Sequence, residues 1–146
     1  MSRVFSPVYS STSDGQDITL CRILEAVSVL SPLVNNSQVL PYKLVSAATT
    51  NATTVKASPG VMYNFIATNV SNQTCYVKFY DKATTPNPTT DSPDYILAIQ
   101  NGQTLSLALG VAPFVFHSGI SFAIVNTATD GGAVHAGDVV LNFTWS

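Results

Sequence analysis

The sequence predicts an all-β domain: a two-sheet antiparallel sandwich, jelly-roll-like, preceded by an extended N-terminal arm. From residue 43 onward, short runs of alternating apolar and polar residues follow one another at short intervals. Turn sequences such as Ser58-Pro59-Gly60 and Asn101-Gly102 separate these runs. No helical pattern lies between them. These observations favour a jelly roll, with an immunoglobulin-like sandwich as the alternative.

The length of 146 residues fits one domain plus an arm. We assign residues 1–42 to the arm and residues 43–146 to the β-sandwich. The arm begins with a segment rich in Ser and Thr, which would not fold alone. Residues 17–30 favour a short helix capped by Asp17, with Leu20, Leu24 and Val27 on one face. The same residues also fit short strands.

Nine strands are predicted in order along the chain. They cover residues 43–48, 53–57, 61–68, 74–80, 95–99, 103–109, 113–117, 120–125 and 138–145.

The segment from Thr54 to Tyr80 organises the predicted core, because its apolar residues alternate with polar ones across two tight turns. The inward positions are Val61, Tyr63, Phe65, Ala67, Cys75, Val77 and Phe79. We expect these side chains to contact a second set of inward residues, which are Leu105, Leu107, Leu141 and Phe143.

The composition predicts a surface that does not repel its own copies. Only 10% of residues are charged and the net charge is -2, whereas a typical soluble domain has roughly 25% charged residues. Ser, Thr and Asn together supply 42 of the 146 residues. We therefore expect self-association. The six Lys and Arg residues are scattered, which argues against a nucleic-acid partner.

The N-terminus has no apolar core of a signal peptide, and no apolar run reaches the length of about 18 residues that spans a bilayer. We therefore expect synthesis in a cytoplasm and no membrane partner. Cys21 and Cys75 are isolated from each other in sequence. Both are expected to be reduced, with Cys75 on an inward strand face.

The inventory of reactive side chains argues against an enzyme, since the chain has two histidines and a single glutamate, Glu25. His117 is interpreted as a strand residue. Asp130, His135 and Asp138 share one loop, but their spacing is not that of a calcium site. Gly131-Gly132 is interpreted as a turn, because no helix follows it. We therefore expect no catalytic, cofactor-binding or metal-binding residues and no cofactor.

Two long loops, residues 81–94 and 126–137, are the candidate contact surfaces. Tyr76, Tyr80 and Tyr95 are a possible aromatic patch for sugar stacking, although cross-strand pairing is the commoner use. Five asparagines match the N-x-Ser/Thr pattern, which we interpret as surface Asn and Thr abundance. They are Asn35, Asn51, Asn69, Asn72 and Asn142.

Several motifs resemble small virion proteins of tailed bacteriophages: VKASPG, YVKFYDKA, the Pro-Thr loop closing at Ser92-Pro93, and the terminal GDVVLNFTW. The resemblance covers about residues 44–146 and carries no catalytic residues. It implies a β-sandwich structural protein of the virion, made in the host bacterial cytoplasm. A capsid decoration (cement) protein that forms a homotrimer and binds the major capsid protein is the first expectation. A tail or fibre module that binds another virion protein or a host-surface glycan is the alternative.

Overall fold

The computed structural model describes residues 38–129 and 131–146, and within them it has strands and no helix, hence none that could cross a bilayer. The predicted all-β class is confirmed. The predicted helix at 17–30 and most of the arm lie outside the described residues. The strands are β1 (Leu40–Val45), β2 (Thr53–Lys56), β3 (Gly60–Asn69), β4 (Cys75–Asp81), β5 (Tyr95–Ile99), β6 (Thr104–Ala108), β7 (Phe114–Phe116), β8 (Ile120–Val125) and β9 (Val139–Trp145).

The strands form two antiparallel sheets. Sheet A has the order β1-β9-β3-β6, with β7 also paired to β3, and sheet B has the order β2-β8-β4-β5. The pairings are nested along the chain: β1 with β9, β2 with β8, β3 with β6 and β7, and β4 with β5. A long antiparallel ribbon rolled into two sheets gives this pattern, so the predicted jelly-roll sandwich is confirmed.

The first strand begins and ends about three residues earlier than the predicted 43–48. β1 covers Leu40–Val45, and a turn follows it. In that turn Asn51 has φ of 50°, its Oδ1 accepts from the Ala47 N–H at 2.7 Å, and its Nδ2 donates to the Ala47 carbonyl at 3.1 Å. Asn tolerates this left-handed conformation. The turn therefore ends the strand before residue 48.

The predicted orientation of β3 is wrong at its beginning. The register with β9 shifts between Met62 and Asn64, so a β-bulge reverses which side chains face inward. Met62 is fully buried, whereas Val61 and Tyr63 are only half-buried. Beyond the bulge, Phe65 and Ala67 are fully buried as predicted.

The core lies between the sheets and is centred on Phe79. Its ring lies within 5.7–6.3 Å of four other phenylalanine rings, centroid to centroid, which are Phe65, Phe116, Phe122 and Phe143. Cys75 is buried on the same inward face with a free thiol, as predicted. Leu141 and Phe143 belong to the core, and Leu105 and Leu107 pack against it, which confirms the predicted contacts.

Candidate interaction surfaces

In the loop between β8 and β9, the Asp138 side chain holds the backbone, and His135 takes part through its backbone groups. The Asp138 carboxylate accepts from the His135 N–H at 2.9 Å, and the His135 carbonyl accepts from the Ser46 hydroxyl at 3.0 Å. Asp130 lies outside the described residues. Within residues 38–129 and 131–146, no three His, Cys, Asp or Glu side chains gather in a metal-binding arrangement.

Asp81 organises the turn between β7 and β8. Its carboxylate accepts from the backbone N–H groups of His117, Ser118 and Gly119 at 2.9, 2.5 and 3.2 Å. Desolvation raises the pKa of Asp81, but the three backbone N–H groups outweigh it and hold the pKa below its ordinary value. His117 follows the last residue of β7, so it is an exposed turn residue and not the predicted strand residue.

The loop at residues 82–94 is held by two further aspartates. Asp91 accepts from Lys82 Nζ at 2.5 Å and from the Asn87 N–H at 2.8 Å, and Asp94 accepts from the Asp81 N–H at 2.6 Å. The Lys82 hydrogen bond lowers the pKa of Asp91. An open depression of about 290 Å³ lies among these residues. Because the carboxylates serve the loop's own backbone and Lys82, we assign no chemistry to the depression.

This loop lies over the outer face of sheet B. Thr85 Oγ1 is 3.5 Å from Thr54 Oγ1 on β2, and a Cβ placed on Gly131 would lie 3.1 Å from Pro88 Cγ. The two long loops therefore meet, and Pro86 and Pro88 are buried. Below them the outward side chains of sheet B are also buried, namely Lys78, Tyr80, Ser121, Ala123 and Val125. The loops were predicted as contact surfaces; Pro86, Pro88 and Val134 are buried within the domain, whereas their other described residues are exposed or half-buried.

The three tyrosines do not form a sugar-binding patch. Tyr80 is buried under the loop, where desolvation, followed by the Asp91 charge, raises its pKa to about 12. Tyr76 packs against a small cluster on the outer face of sheet B, formed by Tyr80, Ala123 and Val125. Tyr95 instead faces inward and stacks on Phe114 at 3.9 Å with an interplanar angle of 4°, so it joins β5 to β7. This contact joins the two sheets, so it is aromatic packing in the core and not the predicted pairing between neighbouring strands of one sheet.

Two of the five asparagines in N-x-Ser/Thr patterns are structural. Asn69 is fully buried, and its Nδ2 donates to the carbonyls of Gln73 and Ile99 at 2.7 and 2.9 Å. Asn51 is the turn residue described above. Asn72 and Asn142 are exposed, whereas Asn35 lies outside the described residues. Because Asn69 and Asn51 are buried, their patterns do not reflect an abundance of Asn and Thr on the surface.

Within the described residues, the outer face of sheet A is largely exposed, and sequence analysis did not single it out. Strand register places its side chains in three rows of four: Pro41, Thr144, Asn64 and Ala108; Lys43, Asn142, Ile66 and Ser106; and Val45, Val140, Thr68 and Thr104. We call these residues the sheet A face. Lys43 is its single charged residue, and Ile66 and Val45 are 46% and 54% exposed.

Comparison with known proteins gives fold likeness only. No family model matches the chain, and no curated protein matches it. Among solved structures, it is similar to a subunit of Bacillus endospore appendages, described as disulfide-linked pili, with 11% identity and a TM-score of 0.40 over 74% of this chain and 83% of the other. Two structures of the Tobacco streak virus coat protein match at 9% identity. Their TM-scores are 0.35 and 0.34, over 75% and 76% of this chain and 87% and 86% of theirs. Similarity at this level supports no inference about function.

Proposed function

We propose that the protein is a non-enzymatic structural component of a virion, a capsid decoration protein that self-associates and binds the outside of an icosahedral shell. The observation that carries this proposal is the sheet A face, which is exposed, regular and almost uncharged. The motif resemblance to phage virion proteins supports a location in the virus particle. The low charge of the whole chain supports self-association.

A surface of this kind is suited to contact with another protein. Burying a charge costs free energy unless it is paired, whereas neutral polar groups can be buried when they form hydrogen bonds across the contact, and burial of the exposed Ile66 and Val45 side chains is favourable. On the sheet A face, only Lys43 carries that penalty, and it lies on an edge strand from which its long side chain can reach solvent.

The size of the face predicts a weak single contact. The face is four strands wide, at about 4.8 Å per strand, and five residues long, at about 3.4 Å per residue, so its area is on the order of 300 Å². A stable interface buries about 800 Å² on each partner. An oligomer that presents several such faces binds far more tightly than one copy. We therefore propose a homotrimer, as the resemblance implies, whose copies contact the major capsid protein together.

The direct test is the copy number of this protein in purified particles relative to the major capsid protein. A decoration protein is expected at hundreds of copies in each particle. A dozen copies or fewer would contradict decoration and would favour the tail or fibre, and binding to a glycan array would favour a host-surface role. A monomeric mass by light scattering at micromolar concentration would contradict self-association.

A further inference from the structure

The edge strands of the two sheets differ in how well they are protected against pairing with another chain. On sheet A, β1 carries Pro41 and Lys43, and both residue types discourage pairing with another chain. On sheet B, β2 is four residues long, contains a register shift and ends at Lys56. The opposite edge of sheet B is β5, with the sequence YILAI. It has no charge, no proline and no register shift.

The backbone of β5 has hydrogen-bonding groups directed at its free side. The carbonyl of Phe79 on β4 accepts from the Asp94 N–H at 2.8 Å, so the backbone groups of Phe79 face β5. In an antiparallel ladder this orientation repeats every second residue, and the hydrogen-bonded pairs are therefore Phe79–Tyr95, Val77–Leu97 and Cys75–Ile99. Ile96 and Ala98 direct their N–H and C=O groups to the opposite side, where no other described strand pairs with β5. The side chain of Ile96 is 48% exposed.

The other edge of sheet A is less suited to pairing. There, β6 presents small exposed side chains, Thr104, Ser106 and Ala108, and its edge is interrupted by the segment at residues 109–113 before β7 continues it. Among the described strands, β5 combines an edge that no other strand pairs with and a large exposed apolar side chain. Such an edge is a template for pairing with another chain.

We propose that β5 pairs antiparallel with β5 of a second copy of this chain, about a two-fold axis at Leu97. The two sheets B then form one continuous eight-stranded sheet. Ile96 of each copy exchanges N–H···O=C bonds with Ala98 of the other copy, Leu97 lies opposite Leu97 at the axis, and Tyr95 lies opposite Ile99. Because β5 has no ionisable side chain among Tyr95–Ile99, except the Tyr95 phenol, no like charges oppose each other.

This inference rests on the proposed self-association but uses a different surface from the sheet A face. β5 is an edge strand of sheet B, so a two-fold pairing at β5 leaves the sheet A face uncovered. The particle copy number tests the proposed function, and the experiment below tests only the strand pairing.

Disulfide trapping tests the register. In the proposed pairing, residues 96 and 98 of two copies are directly opposed in a hydrogen-bonded pair, whose Cα atoms are about 5.5 Å apart, within the range of about 4.4–6.8 Å that a disulfide spans. The double variant Ile96→Cys/Ala98→Cys is compared with each single variant, all carrying Cys21→Ser. Cys75 is buried and stays in place.

Under mild oxidation, most of the double variant is expected to migrate as a covalent dimer without reductant, and both single variants are expected to remain monomeric on the gel. Equal cross-linking in the single and double variants, or none in any of them, would overturn the proposal.

A second comparison does not depend on disulfide formation. Ile96→Lys places two like charges near the axis and is expected to lower the association constant in sedimentation equilibrium. Val111→Lys, at a fully exposed loop position, is the control and is expected to leave it unchanged. Equal association of the two variants would contradict pairing at β5.

Discussion

Ile66 and Asn142 lie opposite each other on the outer face of sheet A, in a row that continues to Lys43 on one side and Ser106 on the other. Ile66 is almost half exposed, although the inward residues beside it on the same strand, Phe65 and Ala67, are fully buried. The row thus places an exposed apolar side chain among small polar groups. The proposed function assigns this face to assembly.

Replacing Phe79 with Ala should destabilise the sandwich by about 3–5 kcal/mol, because its ring fills the space among four other phenylalanines and its loss leaves a cavity. Denaturant unfolding of the two proteins measures the difference. The exposed Val115→Ala variant serves as control and should change the free energy of unfolding by less than about 0.5 kcal/mol. An equal loss of unfolding free energy in both variants would contradict the central position of Phe79 in the core.

Asn69→Ala should cost about 1–3 kcal/mol, because the variant leaves the carbonyls of Ile99 and Gln73 without their side-chain donor in a buried site. Asn72→Ala, three residues later and exposed, is the matched control and should be near neutral. Thermal unfolding of both variants compares them. A stable Asn69→Ala protein would show that the amide is dispensable.

Tyr80→Phe should leave the protein as stable or make it about 1 kcal/mol more stable at neutral pH, because Tyr80 Oη is buried and has no hydrogen-bond partner within the described residues. Burial raises the pKa of Tyr80 from 10.0 to about 12, so the stability linked to its neutral form is complete below pH 10 and is lost as the pH rises through about 12.

Burial also raises the pKa of Tyr42, so ultraviolet titration of the phenolates should show one more late-ionising tyrosine in the parent protein than in Tyr80→Phe. A parent protein whose tyrosines all ionise near pH 10, or a variant clearly less stable at pH 7, would contradict the buried, unpartnered hydroxyl.

Asp81→Asn should lower the melting temperature at pH 7, because an amide cannot replace a carboxylate that accepts from three backbone N–H groups. The pKa of Asp81 is held below its ordinary value of 3.8, so its contribution is complete above that pH and is lost as the pH falls through the lowered pKa. The difference in melting temperature between parent and variant should therefore shrink in strong acid. A difference that stays constant from pH 7 to pH 2 would exclude this linkage.

Alternation of apolar residues was sufficient to predict most strands and the sandwich, because inward and outward positions differ in hydrophobicity along β4 and β9. It failed at the start of β3, where Val61, Met62 and Tyr63 are all apolar or aromatic and the bulge leaves no sequence signal. The burial of Tyr80 was also not predictable. It depends on the loop at residues 82–94 folding back over sheet B, which is a long-range contact.

The sheet A face illustrates a further limit of the sequence. Ile66, Asn142 and Ser106 are far apart along the chain, and only strand order and register place them in one row. Their low charge is visible in the composition, but their grouping is not. Candidate sites in such a protein are therefore found from the topology and not from motifs.

The most direct test of the proposed role compares Ile66→Lys with Val111→Lys for binding to shells that lack this protein. Both variants add one lysine at an exposed apolar position, but only the first lies on the sheet A face. We predict that Val111→Lys occupies the shells like the parent protein and that Ile66→Lys, with unchanged circular dichroism, binds at least about tenfold more weakly, which corresponds to about 1.4 kcal/mol. Normal occupancy by Ile66→Lys would contradict the assignment of this face to assembly.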